Sequence, residues 1–272
     1  MSILTDLTCP AVMGILNVTP DSFSDGGDFF SPEKALHHAR QMVFEGAAII
    51  DVGGESTRPG AVMISIDEEL SRVIPVIERI RAELDTPISI DTSKPAVMCA
   101  AVQAGASMIN DVRALQEEGA LEAAVALQVP VCLMHMQGEP QTMQFAPKYA
   151  DVVLEVKSFL QQRIDCCVAA GVARELLVID PGFGFGKGGR DNQLLLQGLD
   201  GLLDLNLPLL VGVSRKSMIA RMLDLPVDER LYGSLSLASI AVWQGASIIR
   251  AHDIAATLQA IRVSYMCKTA GK

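Results

Sequence analysis

Short runs of valine, isoleucine and leucine recur eight times along this chain, each too short for a helix and apolar on both faces. A strand of a parallel sheet reads this way because helices cover both of its faces. The runs are Val12 to Leu16, Ala48 to Val52, Ile88 to Ile90, Met108 to Ile109, Val131 to Met134, Leu176 to Ile179, Leu209 to Val213 and Ser247 to Ile249. Most gaps between them are helix-length. Local signals mark the first helices: Ser31-Pro32-Glu33 ahead of Ala35 to Phe44, a capping box from Ser65 to Glu68 ahead of Leu70 to Leu84, and Lys94-Pro95 ahead of Ala96 to Ala104. Later helices are expected at Leu121 to Leu127, Val152 to Ala170, Met218 to Leu223, Leu235 to Gln244 and Ile254 to Met266. Gly46 to Asp51, Gly105 to Asn110 and Gly245 to Arg250 share one grammar, a helix-capping glycine leading into a strand that ends in a polar residue. Pro87, Pro130 and Pro208 each precede a strand, where a missing N–H costs least.

A length of 272 residues fits one barrel or two small domains, since α/β barrels commonly reach ~250 residues as one domain. No linker divides the chain. The alternation therefore predicts the α/β class and a single (β/α)8 barrel rather than an open doubly wound sheet. Barrel enzymes carry their chemistry at the C-terminal ends of the strands. Here those ends read Asn17, Asp51, Asp91, Asn110 with Asp111, His135, Asp180, Ser214-Arg215-Lys216, and Arg250 with His252. A lone aspartate after a strand is commonly a helix cap or turn residue, but a polar residue at every strand end points to a site.

Charge decides what kind of site. With 22 basic against 32 acidic residues and a net charge of −10, no broad basic face exists to coat nucleic acid. An anionic substrate must be held locally. The segments after strands seven and eight, Gly212 to Ser217 and Arg250-Ala-His252, concentrate arginine, lysine, histidine and hydroxyls where many barrels bind phosphate. Asp91, Asn110 and Asp180 are suited to bracket a planar heterocycle, because a carboxylate accepts two adjacent N–H groups and an amide offers both a donor and an acceptor. An acid/base carboxylate pair is the rival reading, without obvious sugar-binding aromatics. Met134 and Met136 either fill the core or flank a flat ligand.

Other features constrain less. Gly182-Phe-Gly-Phe-Gly-Lys187 fails the phosphate-loop pattern, because Gly188 stands where Ser or Thr is needed. It reads as a rim loop placing Phe183 or Phe185 near a ligand. Asp21 to Gly27 and Gly53 to Gly60 are long and polar enough to act as lids, with Thr57 and Arg58 completing a site on closure. His37-His38 and Cys166-Cys167 lie within helices and read as structural. The six cysteines form no C-x-x-C pair and no zinc spacing. No apolar stretch reaches the ~18 residues that span a bilayer and no leader is evident, so the expected location is cytoplasmic, without membrane partners.

From about Ala11 to about Arg262 the chain resembles the dihydropteroate synthase family. Gly14-Ile-Leu-Asn-Val-Thr-Pro-Asp-Ser-Phe-Ser-Asp-Gly26 and Ile50-Asp-Val-Gly-Gly-Glu-Ser-Thr-Arg-Pro-Gly60 resemble its two signatures. Ser89 to Lys94, Ile109-Asn-Asp111, Leu133 to Gly138, Asp180 to Phe185, Ser214 to Ser217 and Arg250 to Asp253 follow in the family's order. The resemblance implies condensation of 6-hydroxymethyl-7,8-dihydropterin diphosphate with 4-aminobenzoate, with Mg2+, and sensitivity to sulfonamides. Carried over, Asp91, Asn110, Asp180 and Lys216 hold the pterin, and Met134, Phe185 and Gly212 line its slot. Asn17, Arg250 and His252 bind diphosphate, Asn17 also through Mg2+. Phe23, Thr57, Arg58 and Pro59 shape the aminobenzoate pocket with Lys216 and Ser217. Asp91, Lys216, Arg250 and His252 are the expected catalytic set. The resemblance also implies a homodimer and one single-function domain over residues 1–272. The segment Gly188 to Asn192 departs from the family's pattern and is expected to be a loop away from the site. A pterin-dependent corrinoid methyltransferase and a non-catalytic folate-binding protein are the rivals.

Overall fold

The computed structural model describes residues 9–19, 31–57, 60–138, 143 and 147–271. Eight parallel strands form one sheet: β1 (Ala11–Asn17), β2 (Ile49–Gly53), β3 (Ile88–Asp91), β4 (Met108–Asp111), β5 (Val131–Met134), β6 (Leu177–Asp180), β7 (Leu210–Gly212) and β8 (Ile248–Ala251). Their order around the sheet is β6-β5-β4-β3-β2-β1-β8-β7. The two ends then meet, where Ile179 bridges Leu209 and its N–H donates to Pro208 O at 3.0 Å. The strands thus form a nearly closed (β/α)8 barrel, as the apolar runs predict.

Two apolar layers hold it. Inside the barrel pack Met13, Ile49, Met108, Cys132, Val178, Leu210 and Ile248, all fully buried. Outside, the other faces of the strands meet the helices in one continuous core. This two-sided burial is why the strands appear in sequence as unbroken apolar runs.

The helices are α1 (Pro32–Glu45), α2 (Ile66–Arg81), α3 (Pro95–Gln103), α4 (Ala120–Leu127), α5 (Val152–Ala170), α6 (Gly189–Gln197), α7 (Ser217–Leu223), α8 (Leu231–Gln244) and α9 (Ile254–Thr269). Ser65 caps α2 by accepting Glu68 N–H at 3.1 Å. The other half of the expected capping box is replaced, since the Glu68 carboxylate pairs with Arg72 instead. Gly46 ends α1 at φ +100°, a conformation that favours glycine. Helix α6 corrects the expectation of a loop at Gly188 to Asn192. Two glycines at its start mask it in sequence, but the Asp191 carboxylate accepts Gly188 N–H at 3.0 Å and starts the turn.

Among the described residues no helix is long and apolar enough to cross a membrane. The cysteines are free. His37 and His38 are exposed on α1, and Cys167 is buried while Cys166 is exposed on α5.

Candidate active site

The polar strand ends gather at one mouth of the barrel, and β8 supplies the group that ties them together. Arg250 Nε donates to Asp51 Oδ2 at 2.6 Å and its Nη2 donates to Asp91 Oδ2 at 2.8 Å. Asn110 Nδ2 donates to that same Asp51 oxygen at 3.1 Å. Strands β2, β3, β4 and β8 thus share one buried polar network, with Asp51 fully buried and Asp91 9% exposed. Burial pushes the Asp91 carboxyl up to about 7, against the pull of Arg250 and with a further push from Asp51. Burial also works against the Arg250 charge, but Asp51 and Asp91 outweigh it and hold the guanidinium above its ordinary value.

Two carboxylate oxygens and one hydroxyl of this corner, Asp51 Oδ1, Asp91 Oδ1 and Ser89 Oγ, are buried without a hydrogen-bond partner among the described residues. Buried polar atoms are almost always satisfied in proteins.

Lys216 approaches from β7. Its ammonium donates to Phe183 O and lies 4.6 Å from the centre of the Phe185 ring, within cation–π range. Burial brings its pKa down to about 8, opposed by the charge of Asp180. Asp180, at the end of β6, accepts Gly182 N–H at 2.7 Å; burial raises its carboxyl and Lys216 pulls it back. Gly212 closes β7 between two bases: a Cβ there would lie 3.8 Å from Arg250 Cβ and 3.9 Å from Lys216 Nζ. Met134 is buried at the end of β5.

The basic residues after strands seven and eight divide their work. Ser214 Oγ and His252 Nδ1 are 3.0 Å apart, and His252 N–H donates to Ser214 Oγ at 3.2 Å, so the hydroxyl orients the ring. Arg215, expected to supply charge to an anion site, has a carboxylate partner within the protein. It pairs with Asp253 at 2.5 and 3.1 Å and clamps the two segments together. Ser217 is exposed at the start of α7, Thr57 is half-buried after β2, and Asn17 ends β1 beside Gly53. Phe23, Arg58 and Pro59 lie outside the described residues.

Two members of the strand-end series serve structure instead. Asp111 folds the turn after β4, accepting from Ser93 Oγ, Arg113 N at 2.8 Å and Leu115 N at 2.7 Å. His135 is buried, stacks edge-on against Phe159 at 4.9 Å and contacts Lys187 at 2.8 Å. Phe183, one of two candidates for ligand contact, is fully buried in the core, which leaves Phe185 as the half-exposed ring. Asp51 is the network residue that the resemblance does not assign. Its signal was its place in the strand-end series.

The segment after β6 is packed tightly enough to test. At Gly182, φ is +68° and an added Cβ would sit 1.9 Å from His135 O. Gly182→Ala is therefore expected to cost more than about 3 kcal/mol, because strained φ and backbone overlap act together. Urea unfolding measures it, and a loss below about 1 kcal/mol would contradict the packing described.

A cavity of about 880 Å3 opens at the opposite end of the barrel, lined by Pro10, Gly46, Arg81, Pro130 and Arg262 among others. Arg81 is already committed there to the carbonyls of Gly105, Leu84 and Thr86. The convergent acids and bases lie at the other mouth.

Comparison with known proteins identifies the family. The family described as pterin binding enzyme matches residues 13–252. Dihydropteroate synthase of Escherichia coli (strain K12) is 57% identical over 258 residues, 95% of this chain and 92% of that protein. The Haemophilus influenzae dihydropteroate synthase is 54% identical, covering 95% and 94%. Among solved structures, Yersinia pestis dihydropteroate synthase with a sulfonamide drug complex superposes with a TM-score of 0.93 at 52% identity, covering 97% of this chain and 96% of that one. The Xanthomonas albilineans enzyme in complex with 7,8-dihydropteroate gives 0.88 at 47% identity, covering 97% and 95%. This chain belongs to the dihydropteroate synthase family of pterin-binding enzymes.

Proposed function

We propose that the chain joins 6-hydroxymethyl-7,8-dihydropterin diphosphate to 4-aminobenzoate in the cytoplasm, releasing pyrophosphate, and that the network around Arg250 is its reaction centre. The carrying observation is that one guanidinium is held between Asp51 and Asp91, beside Asn110, at the mouth where Lys216 and His252 also converge. Asp91, Asn110, Asp180 and Lys216 hold the pterin in a slot lined by Met134, Phe185 and Gly212. Asn17, Arg250 and His252 take the diphosphate. Thr57, Lys216 and Ser217 border the aminobenzoate.

The chemistry needs no strong enzymic base. The arylamine nucleophile is neutral near pH 7, and the carbon it attacks adjoins the dihydropterin C=N, so positive charge spreads into the ring as pyrophosphate leaves. The Asp91 carboxylate faces that developing charge, while Arg250 and His252 stabilise the departing oxygens. Ser214 fixes the His252 ring for this role.

Asn17 offers a hard amide oxygen at the end of β1, and among the described residues no cluster of three or more His, Cys, Asp or Glu side chains surrounds it. One amide oxygen is compatible with Mg2+, which keeps several waters and takes its remaining oxygens from phosphates. When bound there, Mg2+ would offset the negative charge of the diphosphate.

Sulfonamides are expected to inhibit by competing with 4-aminobenzoate. Initial rates at rising 4-aminobenzoate check this, and inhibition that added 4-aminobenzoate fails to relieve would contradict it. A homodimer is favoured by exposed apolar side chains on two adjacent helices, Tyr232, Ile240 and Trp243 on α8 with Val263 and Met266 on α9. Sedimentation equilibrium should give about twice the 29.1 kDa chain mass. A concentration-independent monomer would contradict the pairing.

A further inference from the structure

The lysine that ends the glycine-rich loop after β6 turns inward and is bonded to protein groups. Lys187 is only 1% exposed. Its ammonium meets His135 Nδ1 at 2.8 Å, Gly182 O at 2.9 Å, Phe185 O at 3.0 Å and His135 O at 3.3 Å. Three of these four partners are backbone carbonyls, and none is a carboxylate. His135 accepts as a neutral imidazole, its pKa brought down to about 3 by burial and then by the Lys187 charge. Burial also pushes the Lys187 ammonium well below its ordinary range.

Such a knot is costly. Taking an ammonium out of water forfeits its hydration, and an apolar side chain of similar length would fill the same space without that loss. What the knot supplies is a fixed loop. Two acceptors belong to His135 at the end of β5 and two to the loop itself, so one amino group gathers residues 182–187 against the end of the neighbouring strand.

Further bonds hold the same segment. Asn192 on α6 accepts Gly184 N–H at 2.7 Å while its Nδ2 donates to Lys187 O at 3.0 Å and Gly188 O at 2.6 Å. Tyr149 donates to Gly186 O at 2.7 Å. Glycines 182, 184 and 186 all have positive φ, which lets the chain turn this tightly. Two groups of the loop reach outward, the Phe183 carbonyl and the Phe185 ring, and both meet the ammonium of Lys216.

We propose that Lys187 is a positioning residue for the pterin subsite: by drawing His135 and the carbonyls of Gly182 and Phe185 around its ammonium, it sets the loop that holds Lys216. This rests on the reading that Lys216 binds the pterin. Helix α6, whose first turn stood outside the family's pattern, belongs to the same support through Asn192.

The test is a double-mutant cycle. Lys187→Met and Lys216→Met are made singly and together, and the affinity of each protein for the dihydropterin diphosphate and for inorganic pyrophosphate is measured by calorimetry. Lys187→Met is expected to weaken dihydropterin diphosphate binding by about 10-fold or more, as small misplacements of binding groups do, and pyrophosphate binding by less than about 2-fold. In the Lys216→Met background, Lys187→Met should add less than about 2-fold, because its effect runs through Lys216. Additive losses, an equal loss of pyrophosphate affinity, or a folded Lys187→Met protein with unchanged affinity would each overturn the proposal. If Lys216→Met alone leaves affinity for the dihydropterin diphosphate intact, the underlying assignment of Lys216 fails and the proposal with it. Should Lys187→Met not fold, Asn192→Ala loosens the same loop from the α6 side and must show the same non-additivity with Lys216→Met.

Discussion

Replacing Arg250 with methionine is expected to lower kcat/KM by about 10^3-fold or more, the largest effect of any single substitution at this site. Two losses coincide. The variant lacks the cation proposed to receive the departing diphosphate, and it strands Asp51 and Asp91, whose carboxylates lie 2.6 and 2.8 Å from the guanidinium, without their shared partner. Breaking a buried ion pair on one side costs about 3–5 kcal/mol, so a clear fall in Tm should accompany the kinetic loss. Lysine should rescue little, since one ammonium cannot reproduce a planar fork that meets two carboxylates at once. Steady-state kinetics and a thermal melt of the same preparation check both parts. A folded Arg250→Met enzyme with kcat/KM within about 10-fold of the parent would remove Arg250 from the reaction centre.

The second large effect is expected at Asp91. Asp91→Ala should reduce kcat/KM by about 10^2-fold or more, because a carboxylate aimed at developing positive charge in a buried site acts mainly on the transition state. The pH profile carries a sharper expectation. Burial pushes the Asp91 carboxyl up to about 7, so the ionised form that the mechanism needs accumulates as pH rises through that value. Burial brings Lys216 down to about 8, so its ammonium is lost as pH rises further. In the free enzyme kcat/KM should therefore rise through about pH 7 and fall above about pH 8. Asp91→Asn should flatten the acid limb and leave the alkaline one in place. An acid limb unchanged in Asp91→Asn, with activity near that of the parent, would refute the role given to this carboxylate.

The barrel was legible because strands buried on both faces leave continuous apolar runs, and glycine or proline punctuates the joins. Register follows from the same runs: Gly53, Asp91 and Asn110 stand side by side on successive strands, which brings the polar ends level at one mouth. Distinguishing site residues from structural ones among those ends was harder. Asp91, Asp111 and Asp180 look alike in sequence, yet Asp111 spends its oxygens on Ser93 and on the backbone of its own turn. Gly188 already told against a phosphate-binding role for Lys187, but its actual partner, His135 just after β5, is distant in sequence and could not be read from it. Arg215 has the same ambiguity, and its pairing with Asp253 was equally invisible in the sequence. Helix α6 was hidden because glycine, the weakest helix former after proline, stands both at its N-cap, Gly188, and at its first position, Gly189, while the capping contact from Asp191 acts only once the turn exists. For Lys187 and Arg215 the missing information was tertiary; for α6 and Asp111 much of it was local geometry that forms only with the turn itself.

Pyrophosphate release from the purified protein, with dihydropterin diphosphate and Mg2+, in the presence and absence of 4-aminobenzoate, tests the central claim most directly. Release that depends on 4-aminobenzoate and matches dihydropteroate formation mole for mole is the predicted result. Tight binding of the dihydropterin diphosphate without product, or pyrophosphate release indifferent to 4-aminobenzoate, would contradict it.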